Sequence, residues 1–414
     1  MMTKNQINER EQLEILTIEQ LVPANHLVRK LDAAIDFSFI YPLVENLYSQ
    51  FGRPSIDPVV LFKMTMIQYV FGIRSMRQTI KEIETNVAYR WFLGFGFHTE
   101  VPHFSTFGKN YVRRFENTDV FEQIFYCILK EIVEEGLLSA DHIFIDSTHV
   151  KASANKRKFD KKMVRKETRA YEEKLQEELN IDREKNGKKP FPPEKFEKEE
   201  WKEIKESTTD PESGYYVKDE RTKQFAYSFH AATDERGFVL GTIVTPGNIH
   251  DSHILQPLVE KVIEKVKKPL AVAADAAYKT PAITNFLLEN QMLPVLPYTR
   301  PKTKDGFFRK HDYVYDEHND CYICPNDQML PYVTTTKEGY RQFKSNPTIC
   351  ANCPFLQQCT ESKNHTKLIQ RHIWEAYVEE AEHLRHHEEI KLIYAKRKET
   401  IERVFADAKE KHGM

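Results

Sequence analysis

The sequence predicts an α/β protein. A mixed five-stranded sheet with helices is preceded by an all-α N-terminal domain and interrupted by a small cysteine-containing insertion. Three observations predict this. Apolar residues recur at three-to-four spacing through the first 120 residues. From about residue 138 the pattern changes to short apolar runs alternating with helical stretches. Five of the six cysteines crowd into residues 300–385, a stretch that follows neither pattern. The boundaries are a helical domain at 1–130 and an α/β domain at 138–414.

In the helical part, residues 13–21 and 24–37 have helical spacing. Residues 52–57 form a turn, with Ser55 and Asp57 as candidate caps, and Pro58 suits a first helical position. A helix follows through Val59, Leu61, Phe62, Met66, Tyr69 and Val70, and Gly72 ends it. Ser75 caps a second helix through Met76, Ile80 and Ile83. A third spans 87–93. A fourth starts at Ser105 or Thr106 and carries Lys109, Arg113 and Arg114. Short helices with tight turns and basic side chains on the later ones suit a helix-turn-helix type of DNA module, with Arg113 and Arg114 as DNA contacts. A plain helical bundle with solvated charges has the same pattern. Cys127, among Phe121, Ile124 and Phe125, reads as a core residue.

In the second part, 143–152 reads as a strand, and 225–233 and 238–245 alternate like paired strands. Residues 252–266 form an amphipathic helix. The run 270–274 is a buried strand, 280–289 a helix, 293–297 a strand and 394–411 a final basic helix. Three strands, helix, strand, helix, strand and helix is the ribonuclease-H-like order.

Two segments interrupt it. Residues 155–206 hold 17 Lys and Arg against 14 Asp and Glu. That composition fits either a long solvated helix plus a loop or a partly disordered stretch. Residues 300–385 form the cysteine-rich insertion.

The 414 residues have 40% hydrophobic and 29% charged side chains and a net charge of −2, which describes a globular chain. No apolar run approaches 18 residues, so no membrane span is expected. The polar N-terminus has no apolar signal segment, which points to the cytosol and reduced cysteines. Global charge shows no nucleic-acid signature. Local basic clusters stand at 109–114, 156–166, 300–310 and 391–403.

Three acids define a candidate site. Asp146 and Asp275 each end an apolar run, and Glu402 lies on the last helix. Cutting a phosphodiester needs an activated water or hydroxyl and support for the departing oxygen. Two divalent ions about 3.5–4 Å apart supply both. Mg²⁺ takes oxygen ligands and keeps several waters, so a few carboxylates suffice. Without a cation, three adjacent acids repel one another. Taken singly, a strand-end Asp is more often a cap, and a Glu on a basic helix is more often half of a surface ion pair. The joint pattern points to DNA as substrate.

Several blocks resemble DDE-class transposases of bacterial insertion sequences. They are 144–152 with Asp146, 207–218 with Asp210 and Gly214, 245–252 with Asn248 and His250, 274–278 with Asp275, and the helix with Arg397, Glu402, Phe405 and Lys409. Upstream, 52–54, 89–92 and 103–106 are similar to the N-terminal region of that family. The resemblance implies metal-dependent cleavage at element ends and strand transfer by a 3′-hydroxyl. Asp146, Asp275 and Glu402 would hold two Mg²⁺ or Mn²⁺ ions, and Arg397 and Lys409 would contact phosphates. It implies double-stranded DNA partners (terminal repeats and target), a homodimer in a synaptic complex, and a bacterial cytoplasmic protein on the nucleoid when DNA-bound. Relatives often place the Arg four residues before the Glu, a spacing held here by Lys398, so either residue could take the basic role. Relatives also continue beyond the point corresponding to Met414, so a truncated copy that only binds DNA is one alternative. A plain metal-dependent nuclease is another. His250 reads either as a phosphate contact shaping the site or as a loop residue paired to Asp251 or a carbonyl.

Cys321 and Cys324 form one Cys-x₂-Cys pair, and Cys350 and Cys353 a second, with Cys359 following. Two such pairs resemble a structural Zn²⁺ site, with Cys359 as a fifth candidate ligand. The alternative is reduced thiols packing a small β-rich insertion.

Overall fold

The protein is described here by a computed structural model covering residues 13–49, 51–52, 54–165, 171–196, 201–219, 221–299 and 303–414. Arg53, Lys166, Arg300, Pro301 and Lys302, which belong to motifs and clusters named above, lie outside the described residues, as do residues 1–12. The described residues fall into two compact units. One runs to Leu137 and takes in Ala406–Met414; the other is Leu138–Phe405.

The first unit is helical: α1 (Ile18–Leu21), α2 (Leu27–Ala34), α3 (Ile40–Val44), α4 (Pro58–Val70), α5 (Met76–Thr85), α6 (Val87–Phe92), α7 (Phe104–Asn110) and α8 (Val120–Glu134). Asp57 caps α4 by accepting from the Val59 N–H at 2.8 Å, and Pro58 opens the helix. Ser75 caps α5 in the same way. Ile40, Met64, Ile67, Ile83, Phe92 and Phe115 are buried together.

Four expectations are corrected here. Of 13–21, only the four residues of α1 are helical, held by a capping box between Thr17 and Gln20. The helix expected at 24–37 stops at Ala34, because the Asp36 side chain accepts from the Ser38 N–H and starts a separate 3₁₀ turn. Arg113 and Arg114 lie beyond α7, on a π-type turn (Tyr111–Phe115) in which the Glu116 N–H reaches the Tyr111 carbonyl. Cys127 is half-buried, since α8 buries only Val120 and Leu129.

The second unit begins with β1 (His142–Lys151), β2 (Phe159–Arg165), α9 (Glu172–Lys185), β3 (Trp201–Ser207), β4 (Gly214–Val217), β5 (Lys223–Thr233) and β6 (Val239–Pro246). It continues with α10 (Leu255–Lys265), β7 (Ala271–Ala273), α11 (Pro281–Glu289) and β8 (Leu293–Val295). These strands form one eight-stranded sheet in the order β2-β3-β4-β5-β1-β7-β8, with β6 also on β5. β1, β7 and β8 are mutually parallel, and the other pairs are antiparallel.

The sheet therefore has eight strands where five are expected. The three additional strands are β2, β3 and β4, and the first two come from the charged segment 155–206. There, Lys161 pairs with Glu203 at 2.9 Å and Lys162 with Glu206 at 2.8 Å across the two strands. Cross-strand ion pairs replace the apolar alternation that marks an ordinary strand, so composition alone reads as solvated.

The cysteine-rich insertion forms a second, antiparallel sheet. Its strands are β9 (Val314–Asp316), β10 (Cys321–Ile323), β11 (Met329–Thr335), β12 (Tyr340–Lys344) and β13 (Leu368–His372), in the order β13-β12-β11-β10-β9. Short helices α12 (Pro347–Cys350) and α13 (Leu356–Cys359) cross between β12 and β13. The two insertions pack on each other. On α9, Glu178 accepts from the buried Trp374 indole at 2.6 Å, and Asp182 accepts from Thr335 at 2.7 Å.

The chain closes with α14 (Glu375–Leu384), α15 (Glu388–Ala395) and α16 (Ile401–Lys411). The single helix expected at 394–411 is broken: α15 ends at Ala395, a 3₁₀ turn (Lys396–Lys398) follows in which the Glu399 N–H reaches the Lys396 carbonyl at 3.0 Å, and α16 starts at Ile401. The faces of the main sheet are divided. Ile143, Ile145, Val272 and Ala274 pack with α10 and α11, while Phe144, Ala273 and Val295 pack with Ile390, Ile393, Ile401 and Phe405 of α15 and α16.

Candidate active site

β1 lies between β5 and β7 in the sheet. Its parallel register with β7 pairs Phe144 with Ala273. Two residues further along both strands come Asp146 and Asp275. An even step keeps the face, so both acids point to the side that carries Phe144 and Ala273, where α16 packs. β7 has ended by Asp275, whose side chain accepts from the Ala277 N–H at 2.9 Å and turns the chain. Glu402 follows buried Ile401 in the first turn of α16 and is exposed.

Asp146 experiences both other acids. Burial pushes its carboxyl above the usual range. The Arg397 guanidinium and the Ser147 N–H (2.8 Å) pull it down, and the charges of Asp275 and Glu402 push it up. The charges of both other acids therefore reach Asp146, although Asp146 and Glu402 lie 256 positions apart. Arg397 is buried. It donates from Nη2 to Asp146 Oδ2 at 2.9 Å, stands over the Tyr394 ring and leaves its Nε–H without a partner among the described residues. Lys398, next to it, is exposed.

On the opposite face of β1, a polar cluster supports the strand at the level of Asp146. Ser147 donates to Asp251 Oδ2 at 3.0 Å. Buried His230 contacts Tyr278 Oη and Thr245 Oγ1, each at 3.3 Å. Burial holds the His230 imidazole down to about 4 despite Asp251 nearby, so it is neutral, and burial likewise pushes the Tyr278 phenol up. Residue type and spacing do not mark Ser147, His230, Asp251 or Tyr278 as site residues. The only signal was their place in the blocks 144–152, 245–252 and 274–278, since His230 lies in an unremarkable strand.

The remaining candidates stand apart. His250 is exposed and caps a short 3₁₀ turn, its Nδ1 accepting from the Ser252 N–H at 3.2 Å. Its neighbour Asp251 is the residue turned toward Ser147. Lys409 is exposed on α16. Arg113 is exposed, whereas Arg114 donates to Asn110 and lies over the Tyr48 ring at 4.4 Å. Cys324, Cys350 and Cys353 line one cavity with Cys359, and Cys321 is buried elsewhere on β10.

Two family descriptions match this chain. A transposase domain (DUF772) matches residues 16–113, and a transposase DDE domain matches residues 323–414. These two matches support a DDE-class transposase of insertion sequences. Neither the curated proteins nor the solved structures yield a match. The DDE match covers Arg397, Glu402 and Lys409, while Asp146 and Asp275 lie outside both matched stretches. No helix among the described residues is long and apolar enough to cross a membrane.

In chemical type, three carboxylates fit a hard divalent cation, and the mutual repulsion at Asp146 is the cost such a cation would relieve. As the side chains stand, no three His, Cys, Asp or Glu among the described residues reach metal-ligand spacing, and Arg397 supplies the positive charge at Asp146.

Proposed function

We propose that this transposase binds the ends of its insertion sequence and cuts and joins DNA strands at Asp146, Asp275 and Glu402. The observation that supports this reading is the register of β1 with β7, two steps beyond which Asp146 and Asp275 follow on one face, together with the charges of Asp275 and Glu402 reaching Asp146. The five contiguous strands β6-β5-β1-β7-β8, three antiparallel then two parallel, support reading this unit as ribonuclease-H-like, with β2–β4 as additions.

Asp146, Asp275 and Glu402 would hold two Mg²⁺ or Mn²⁺ ions, which supply Lewis-acid activation of the attacking oxygen and support for the leaving one. The chain's own groups do the rest. The Ser147 N–H and Arg397 hold the Asp146 carboxylate in place. The cluster of Ser147, Asp251, His230 and Tyr278 fixes β1 at that level. Exposed Lys398 and Lys409 take phosphate contacts, and Arg397 is committed to Asp146. The helical unit binds element-end DNA through Arg113. His250 orders the 250–253 turn, which positions Asp251. Two DNA ends call for a homodimer or larger synaptic complex acting in the cytosol, on the nucleoid.

The test is a cleavage and strand-transfer assay on element-end DNA with Mg²⁺ or Mn²⁺. Asp146→Ala, Asp275→Asn and Glu402→Gln should each lose at least about a thousandfold in rate and still bind DNA. Full activity in Asp275→Asn would overturn the site. Cleavage without joining in the unmodified protein would favour a plain nuclease, and binding without cleavage a non-catalytic copy.

A further inference from the structure

The cysteine-rich insertion has a small apolar core: Tyr313, Tyr322, Leu330, Phe343 and Ile369, with Cys324 and Cys359 packed beside them. A sheet that buries so little usually needs a staple. Three separate loops carry thiols to one place. Cys324 follows β10 and opens a tight turn, in which its N–H meets the Gln328 carbonyl at 3.0 Å and its carbonyl receives the Asp327 N–H at 2.9 Å. Cys350 ends α12, and the Cys353 N–H returns to the Cys350 carbonyl at 3.1 Å. Cys359 ends α13.

These four thiols line one cavity of about 30 Å³. That is room for one ion or a water or two, and far too little for an organic ligand. Cys321 does not line it. Side chains alternate along β10, so Cys321 faces away from Tyr322 and from Cys324 beyond it. Burial, and then the charges of Asp316 and Asp320, push the Cys321 thiol up, a poor setting for a thiolate.

We propose that Cys324, Cys350, Cys353 and Cys359 form a structural tetrathiolate site for Zn²⁺, with Cys321 excluded. Four soft sulfurs, closing tetrahedrally on an ion, would select zinc over the hard cations of the carboxylate site. The thiols release their protons to solvent as the ion binds, so no oxidant is needed. A zinc tetrathiolate carries a net charge of −2, and the surroundings can offset it. Lys367 lines the cavity and donates to the Cys359 carbonyl at 2.9 Å, and the Tyr313 hydroxyl lies 3.2 Å from Cys359 Sγ. No three ligands yet stand at bonding distance among the described residues, so binding draws the thiols inward and closes the cavity.

The experiment uses the full chain purified under reducing conditions, with metal content measured by elemental mass spectrometry and replacement by Co²⁺ followed optically. One zinc per chain and sulfur-to-cobalt charge-transfer bands are expected. Cys324→Ser and Cys359→Ser should lower zinc retention by more than about tenfold. Cys321→Ser and Cys127→Ser should retain it. No stoichiometric zinc together with no such bands in the unmodified protein would overturn the site, a result independent of whether any variant folds. So would loss in Cys321→Ser with retention in Cys359→Ser, or finding the four thiols paired as disulfides.

Discussion

Arg397 donates from Nη2 to Asp146 Oδ2 across 2.9 Å, so that the segment between the last two helices is tied to the first strand of the sheet. Both groups are largely withdrawn from solvent, with side-chain exposures of 8% and 19%. Removing one member strands the other's charge. Arg397→Met should therefore destabilise the chain by roughly 2–4 kcal/mol in urea unfolding, and adding Asp146→Asn should restore much of it. Additive losses in the double variant would show that the pair is not coupled.

The four basic residues near the proposed DNA contacts should separate by salt dependence. Lys398→Ala, Lys409→Ala and Arg113→Ala should each lower the slope of log affinity against log salt by roughly 1, because each exposed cation releases one counterion. Arg114→Ala should leave the slope unchanged and cost about 1 kcal/mol of stability, since its guanidinium is spent on Asn110 and Tyr48. A slope change in Arg114→Ala alone would reverse these assignments.

Gly214 is required by a close crossing of backbone. A Cβ there would collide with Asn248 and stand 2.5 Å from the Gly247 nitrogen. Gly214→Ala should cost more than about 2 kcal/mol and displace the loop that carries Asp251. Unfolding of that variant by circular dichroism checks this, and an unchanged midpoint would refute it.

Two buried histidines set an acid limit. Burial holds His230 and His372 down to about 4, below the ordinary 6.5. Between those values the unfolded chain takes protons that the fold refuses. Stability is thus complete above about pH 6.5 and declines as pH falls toward 4, by on the order of 2 kcal/mol or more per residue. His230→Gln should flatten this slope in denaturation at pH 7.5, 6 and 5. An identical slope would assign the effect to other groups.

The sequence by itself determined the local choices. Asp57 with Pro58, and Ser75, open their helices where expected. The apolar runs before Asp146 and Asp275 became adjacent parallel strands, because a buried strand must be apolar; β7 ends before its acid, whereas β1 continues past Asp146 to Lys151. The tertiary structure decided what depends on distant partners. β2 and β3 are visible only once Lys161 finds Glu203 and Lys162 finds Glu206, since each strand alone is merely charged. The break before α16 is a 3₁₀ turn at Lys396–Lys398, which helical periodicity does not encode. Arg397 and Lys398 are equivalent in sequence, but one is buried against Asp146 and the other is left in water. The same holds in the insertion, where spacing groups Cys321 with Cys324 and strand alternation separates them. Spacing along a chain records which residues are close in sequence, whereas ligand sets and ion pairs depend on which side chains share a face, and only packing decides that.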